Sequence, residues 1–139
     1  MFLGRDVLLD AAPLIAFFDP HDQWHAAASE AWPRLGRRCL TTEPVVVEAT
    51  HMVSRGSGDH ARVLEFLIAS DVPVFALHRP LHEACVHLMR RYAAVPMDYA
   101  DATLVALADR LAIRRVFTFD RRGFGEYRGA RGLPFTIIP

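Results

Sequence analysis

The chain has 139 residues, 52% of them hydrophobic and 23% charged, with a formal net charge of zero. That length suits one domain built on one core, the composition excludes a disordered chain, and zero net charge neither requires nor excludes a nucleic-acid partner. The longest apolar runs, Pro13 to Phe18 and Pro44 to Val47, fall far short of the roughly 20 residues of a membrane span. Residues 1–6, Met-Phe-Leu-Gly-Arg-Asp, lack the basic-then-apolar pattern of a secretion signal. The expectation is a single domain over residues 1–139, cytoplasmic, with no membrane attachment.

Val7 to Leu9 reads as a buried strand ending at Asp10. Ala11 to Phe18 reads as a short helix closed by Asp19-Pro20. Asp22 to Leu35 carries Trp24, Ala27, Ala28, Ala31 and Leu35 at helical spacing, and Pro33 is expected to kink it or end it early. Trp24 and Trp32 are placed in packing. Arg38 to Thr41 is a second strand. Glu43 to Ser54 is a helix, with Thr42 as its N-cap and Pro44 in its first turn. Gly56-Ser57-Gly58 is a turn, Asp59 to Ala69 a helix, Val72 to Leu77 a third strand and Pro80 to Tyr92 a further helix. Tyr99 to Ala112 has the broadest apolar face. Arg115 to Phe119 is a strand ending at Asp120, and Phe135 to Ile138 a short edge strand. Strands alternating with helices imply an α/β domain with a mainly parallel sheet.

Cys39 and Cys85 fall in a strand and a helix and read as small core residues, since two cysteines alone make no zinc site. His21 and His25, four apart, lack a third ligand and read as a polar helix face, and His78, His82 and His87 read as surface or satisfied groups.

The acids carry more information. Ligand sites of open α/β sheets lie beyond the carboxyl ends of the strands, and Asp10 and Asp120 both sit at such ends. Glu48 stands in Val45-Val46-Val47-Glu48-Ala49, so it either occupies the one exposed stripe of that helix or is buried. A buried carboxylate must be paired, protonated or bound to metal. Asp98 is a natural N-cap for the helix at Tyr99, and Asp101 three residues on imitates a capping box; Asp101 also borders the apolar face. If Asp10, Glu48, Asp101 and Asp120 converge, their repulsion calls for a cation, and a hard ion such as Mg²⁺ or Mn²⁺ suits oxygen ligands. All sixteen basic residues are arginines, and seven of them lie in the last thirty residues, opposed there by Asp120 and Glu126 alone.

Four segments in this order resemble the PIN-domain family. They are Leu8-Leu9-Asp10-Ala11-Ala12-Pro13-Leu14-Ile15-Ala16, Val45-Val46-Val47-Glu48-Ala49, Met97-Asp98-Tyr99-Ala100-Asp101-Ala102-Thr103, and Val116-Phe117-Thr118-Phe119-Asp120-Arg121-Arg122-Gly123-Phe124. The resemblance runs over nearly the whole chain. It implies a PIN-like three-layer α/β/α domain with a twisted, mainly parallel sheet. It also implies an endoribonuclease that hydrolyses RNA phosphodiesters with Mg²⁺ or Mn²⁺, similar to the VapC-type toxins of toxin–antitoxin pairs, with a cognate antitoxin and a homodimeric state. On this resemblance Asp10, Glu48, Asp101 and Asp120 are the catalytic metal ligands, with Asp98 competing for the third role. Thr118 supports the cluster, and Arg121 and Arg122 are candidates to bind RNA. Ala11 and Ala12 stand where the family often has hydroxyls, which leaves a second reading, a PIN-fold binding module with little cleavage. A phosphotransfer enzyme using Asp10 as nucleophile is disfavoured by the absence of lysine.

Overall fold

The computed structural model describes residues 4–56, 58–129 and 131–139. Ser57, and with it the turn expected at Gly56-Ser57-Gly58, lies outside them. The elements run β1 (Val7–Leu9), α1 (Ala11–Phe18), α2 (His25–Leu35), β2 (Cys39–Thr42), α3 (Glu43–Gly56), α4 (Ala61–Ala69), β3 (Val74–Phe75), α5 (Arg79–Arg91), α6 (Tyr99–Leu111), β4 (Arg115–Phe117), α7 (Arg121–Glu126) and β5 (Thr136–Ile138).

The sheet order is β3-β2-β1-β4-β5, and every named pairing is parallel. Parallel neighbours need crossovers, and helices supply each of them, giving the α/β fold with a covered sheet. β1 is central, which explains its unbroken apolar run. Val7, Leu8 and Leu9 are all fully buried, as a strand packed on both faces requires. Leu8 pairs with Leu40 on one side and Val116 on the other. The chain steps from β1 outward through β2 to β3, then returns to the far side of β1 as β4. The strand order therefore reverses between β1 and β4, the switch point at which such sheets open a crevice at their carboxyl ends.

The amino ends of the same strands are clasped. Asp6 accepts from Arg38 Nε and Nη2 at 2.8 and 2.7 Å and from Arg115 Nη1 at 2.8 Å. Hydrogen bonds from Arg38 hold the Asp6 carboxyl below the usual carboxylate range. One acid thus ties the starts of β1, β2 and β4.

Several local expectations are corrected. Pro33 lies inside α2 without stopping it; it stands two residues from the end, so little of the hydrogen-bond ladder is lost, and the chain then tightens into a 3₁₀ turn at Gly36–Arg38. The helix starts at His25 rather than Asp22, because the Asp19 and Asp22 carboxylates accept from the backbone N–H of His21 and Trp24 at 2.9 and 2.7 Å, turns that compete with helix. Thr42 closes β2 and stands directly before the first residue of α3, the position expected for its cap, and its hydroxyl lies 2.7 Å from that of Thr103 on α6. The third strand shrinks to Val74–Phe75 at the sheet edge. β4 stops at Phe117, two residues early, which frees Thr118 to turn inward. α7 was not anticipated. Cys39 and Cys85 are buried free thiols, as read from the sequence.

Candidate functional site

Asp10 leaves β1 at the switch point and caps α1. Its Oδ1 accepts from the Ala11 N–H at 2.8 Å, and its Oδ2 accepts from the Thr118 hydroxyl at 2.6 Å. The residue is 5% exposed. Burial is the main reason its proton affinity rises, to a pKa of about 6, against the opposing hydrogen bonds from Thr118 and Ala11; the charges of Asp120 and Asp98 raise it further.

Thr118 joins the two strand ends. While its hydroxyl donates to Asp10, the same oxygen accepts from the Asp120 N–H at 2.9 Å. Its own backbone N–H donates to the Ile138 carbonyl on β5 at 3.2 Å. Asp120 then caps α7, Oδ1 accepting from the Gly123 N–H at 2.9 Å. Glycine is needed at 123 for space, because a Cβ there would run into the Asp120 carboxylate.

Asp98 and Asp101 form a true reciprocal capping box on α6. Asp98 Oδ1 accepts from Asp101 N at 2.8 Å, and Asp101 Oδ2 accepts more loosely from Asp98 N at 3.4 Å. The two are not equivalent. Asp98 is exposed, whereas Asp101 is partly buried and also accepts from the Tyr127 hydroxyl at 3.0 Å. Burial raises the Asp101 pKa most, followed by the charges of Asp10 and Asp98.

Glu48 on α3 falls between the alternatives its sequence allowed. α3 is not buried all round: Val45, Val46 and Ala49 are buried, but Val47 is 66% exposed. Glu48 is half-buried beside it. Desolvation raises its pKa to about 7, assisted by Asp98 and Asp10.

The structure therefore brings Asp10, Glu48, Asp98, Asp101 and Asp120 within electrostatic reach at one end of the sheet, from four helices or their caps. The charges that act on Asp10, Glu48 and Asp101 are other carboxylates. Among the described residues, no three His, Cys, Asp or Glu side chains are already gathered tightly enough to hold an ion. The donor set, hard oxygens with unrelieved mutual repulsion, fits a divalent cation of the Mg²⁺ or Mn²⁺ kind. Arg121 and Arg122 are exposed on the first turn of α7, directly after Asp120.

Tyr127 was missed from sequence. It is 1% exposed, and it packs edge-on against both Tyr92 and Phe124. Nothing local marks it, since its partner Asp101 is 26 residues away. A layer of threonine hydroxyls beneath the acids was also missed. Thr41 donates to the Leu9 carbonyl at 2.7 Å, and Thr103 donates to the Ala100 carbonyl at 2.7 Å while facing Thr42. These bonds fix β2, the end of β1 and the start of α6 relative to one another. The paired Thr41-Thr42 at a strand end was the available signal.

Comparison with known proteins places this geometry in context. The sequence matches the PIN domain over residues 7–130. It is 30% identical over 135 residues to Ribonuclease VapC26 of Mycobacterium tuberculosis, covering 96% of this chain and 100% of that relative. Among solved structures, Mycobacterium tuberculosis VapC20, a sarcin-ricin loop cleaving toxin, superposes with a TM-score of 0.79 at 18% identity, covering 88% of this chain and 96% of that one. VapBC2 of Rickettsia felis, solved with a DNA fragment from its promoter, gives a TM-score of 0.69 at 10% identity, covering 96% and 98%. At those identities the structures establish the fold. No helix among the described residues is long and apolar enough to cross a membrane.

Proposed function

The chain belongs to the PIN domain family, and on that premise we propose that it is a metal-dependent endoribonuclease, the toxin of a toxin–antitoxin pair. The observation that carries the reading is the recess in which burial, reinforced by neighbouring charges that are all carboxylates, raises the proton affinity of Asp10, Glu48 and Asp101. Folding such a group together costs stability, and a function that needs a cation is the physical reason to keep it.

Asp10, Glu48, Asp101 and Asp120 would hold Mg²⁺ or Mn²⁺, directly or through water. Asp98 stays at the rim, because its carboxylate caps α6 in the open. When bound, the ion would lower the pKa of water and steady the charge of an in-line displacement at phosphorus. In that reaction a P–O bond forms to the water oxygen and the bond to the departing ribose oxygen breaks. The chain's own part is orientation. Thr118 and the Ala11 N–H fix both oxygens of Asp10, Gly123 fixes Asp120, and Tyr127 fixes Asp101. Thr118 is the proposed supporting hydroxyl, and with the Ala11 N–H it gives Asp10 two hydrogen-bond donors in a segment where Ala11 and Ala12 bring no side-chain hydroxyl. Arg121 and Arg122, as forks that suit phosphate, would bind the RNA backbone beside the acids.

The partner readings follow the same premise. VapBC2 is a toxin–antitoxin assembly by its name, and a cognate antitoxin is proposed for this chain by likeness. A homodimer is proposed as well. Leu64 and Ile68 on α4 and Met52 on α3 leave apolar side chains exposed, as a self-associating face would. Cleavage of mixed RNA is expected with millimolar Mn²⁺ or Mg²⁺ and to cease with EDTA. Cleavage that persists in EDTA would remove the metal mechanism, and no cleavage under any divalent ion would leave only a binding module. Light scattering that shows monomer at micromolar concentration would remove the dimer.

A further inference from the structure

A trench of about 540 Å³ opens beside the acids, lined by Glu43, Pro44, Val47, Glu48, Leu77, His82, Asp98, Tyr99 and Ala100. Its volume lies within the range of sites for small organic groups. Two of its lining residues, Glu48 and Asp98, also belong to the acid cluster, so trench and candidate site are continuous. Pro44, Val47, Leu77 and Ala100 give it apolar walls. Tyr99 is 41% exposed although it follows directly on the N-cap of α6, and its hydroxyl lies 2.9 Å from His82 Nε2 on α5. The two rings stand 6.1 Å apart at 35°. A broad aromatic face is thus held in place at the rim by a second element. The catalytic proposal gives neither Tyr99, His82, Val47 nor Glu43 any work.

We propose that this trench is a nucleobase subsite, in which a base next to the cleaved phosphate stacks on Tyr99 and presents its amino edge to Glu43. The inference rests on the ribonuclease reading for its ligand class. The chemistry narrows the occupant. Among the described residues the trench has three carboxylates and no arginine in its lining, so phosphate is repelled and an uncharged part of the RNA must enter. Unpaired bases are recognised by stacking on aromatic rings and by hydrogen bonds at their Watson–Crick edges. A carboxylate only accepts, which favours guanine, whose ring N–H and amino group form a two-donor edge. Uracil, with one N–H between two carbonyls, fits worst.

The test separates the trench from the chemistry. Backbone NMR of the whole chain is recorded with guanosine or uridine at millimolar concentration, without metal, for wild type, Tyr99→Ala, Tyr99→Phe and Glu43→Gln. Guanosine is expected to give saturable shifts at Val47, Leu77 and Tyr99, with uridine at least several-fold weaker. Tyr99→Ala should weaken guanosine about tenfold, the scale of one lost stacking contact, and Tyr99→Phe should restore it. Glu43→Gln should narrow the gap between the two nucleosides. In parallel, the ends produced from a mixed RNA pool with Mn²⁺ should be enriched in guanine at one fixed position, and Tyr99→Ala should erase that enrichment while cleavage continues. Absence of guanosine shifts, or the same cut sites in Tyr99→Ala as in wild type, overturns the subsite. Shifts from an arginine-rich peptide in place of guanosine assign the trench to a protein partner and overturn it too. Guanosine binding without any cleavage sinks the ribonuclease reading and leaves the base site standing.

Discussion

Replacing Thr118 with Val removes one oxygen from a side chain that is 1% exposed and keeps nearly the same shape. That oxygen serves two partners, donating to Asp10 at 2.6 Å and accepting from the Asp120 N–H at 2.9 Å. A hydrogen bond to a charged group contributes about 1.5–3 kcal/mol, and an orphaned buried donor adds its own desolvation cost. The expected loss is therefore about 2–3 kcal/mol at pH 8, where Asp10 is ionised. For a domain of this size that corresponds to roughly 6–12 °C in melting temperature. At pH 5, below the Asp10 pKa of about 6, the carboxyl is mostly neutral and the loss should shrink by about half. Thermal melts in EDTA at both pH values, with Thr118→Ser as the hydroxyl-retaining control, measure the difference. Equal melting of Thr118→Val and wild type at pH 8, or the same deficit at both pH values, would refute the claim that this hydroxyl holds an ionised Asp10.

Four further outcomes follow from the geometry. Because burial raises the Asp10 pKa to about 6 from an ordinary 3.8, the folded state binds its proton more tightly than the unfolded one, so metal-free stability should fall as pH rises from 4 to 7; two pKa units correspond to about 3 kcal/mol. Denaturant titrations in EDTA test this, and Mn²⁺ should stabilise more at pH 8 than at pH 5; a metal-free protein that gains stability over that range contradicts it. Asp120→Asn keeps the Gly123 contact and deletes one charge, so RNA cleavage should fall roughly 100- to 1000-fold, the scale of one lost charge-stabilising group, while RNA binding survives in a filter or anisotropy assay. Replacing Arg121 and Arg122 with Ala should weaken RNA binding and flatten its salt dependence by about 0.7 of a log–log unit per lost phosphate contact; an unchanged slope removes them from the interface. Ala112 closes α6 at φ 56°, a left-handed conformation that costs a non-glycine residue about 1 kcal/mol, so Ala112→Gly should raise the unfolding free energy by about that amount, and a destabilised variant would show that the cap is unstrained.

The sequence shows those features that depend on local periodicity and misses those that depend on meeting across distance. Val7 to Leu9 and the apolar face of α6 announce themselves because a strand or helix packed on a sheet must be apolar along the packed face. Asp10 and Asp120 stand out by ending such runs, and their order along the chain matches the switch point. Glu48 could not be placed from its neighbours, since whether Val47 or Glu48 faces outward is set by where α1, α4 and α6 meet α3, and both turn out partly open. Asp98 and Asp101 competed for one role in the sequence, with Asp101 preferred for its place beside the apolar face; the burial of Asp101 and the approach of Tyr127 to it are what separate the two in the fold. Thr118 was visible as a hydroxyl in the right place, but its reach to both strand-end acids depends on β4 stopping at Phe117, which its β-prone sequence does not announce.

The burial of Asp10 has a consequence for how such a chain changes over generations. On the proposed role of Asp10 as a metal ligand, a substitution such as Asp10→Asn removes the chemistry and, in the same step, the buried charge that lowers the stability of the metal-free fold. Selection for a folded, abundant protein then offers little defence of the proposed centre. A lineage in which the activity is harmful to its host would accumulate intact, silent copies before it accumulated broken ones, and stability alone would not tell them apart.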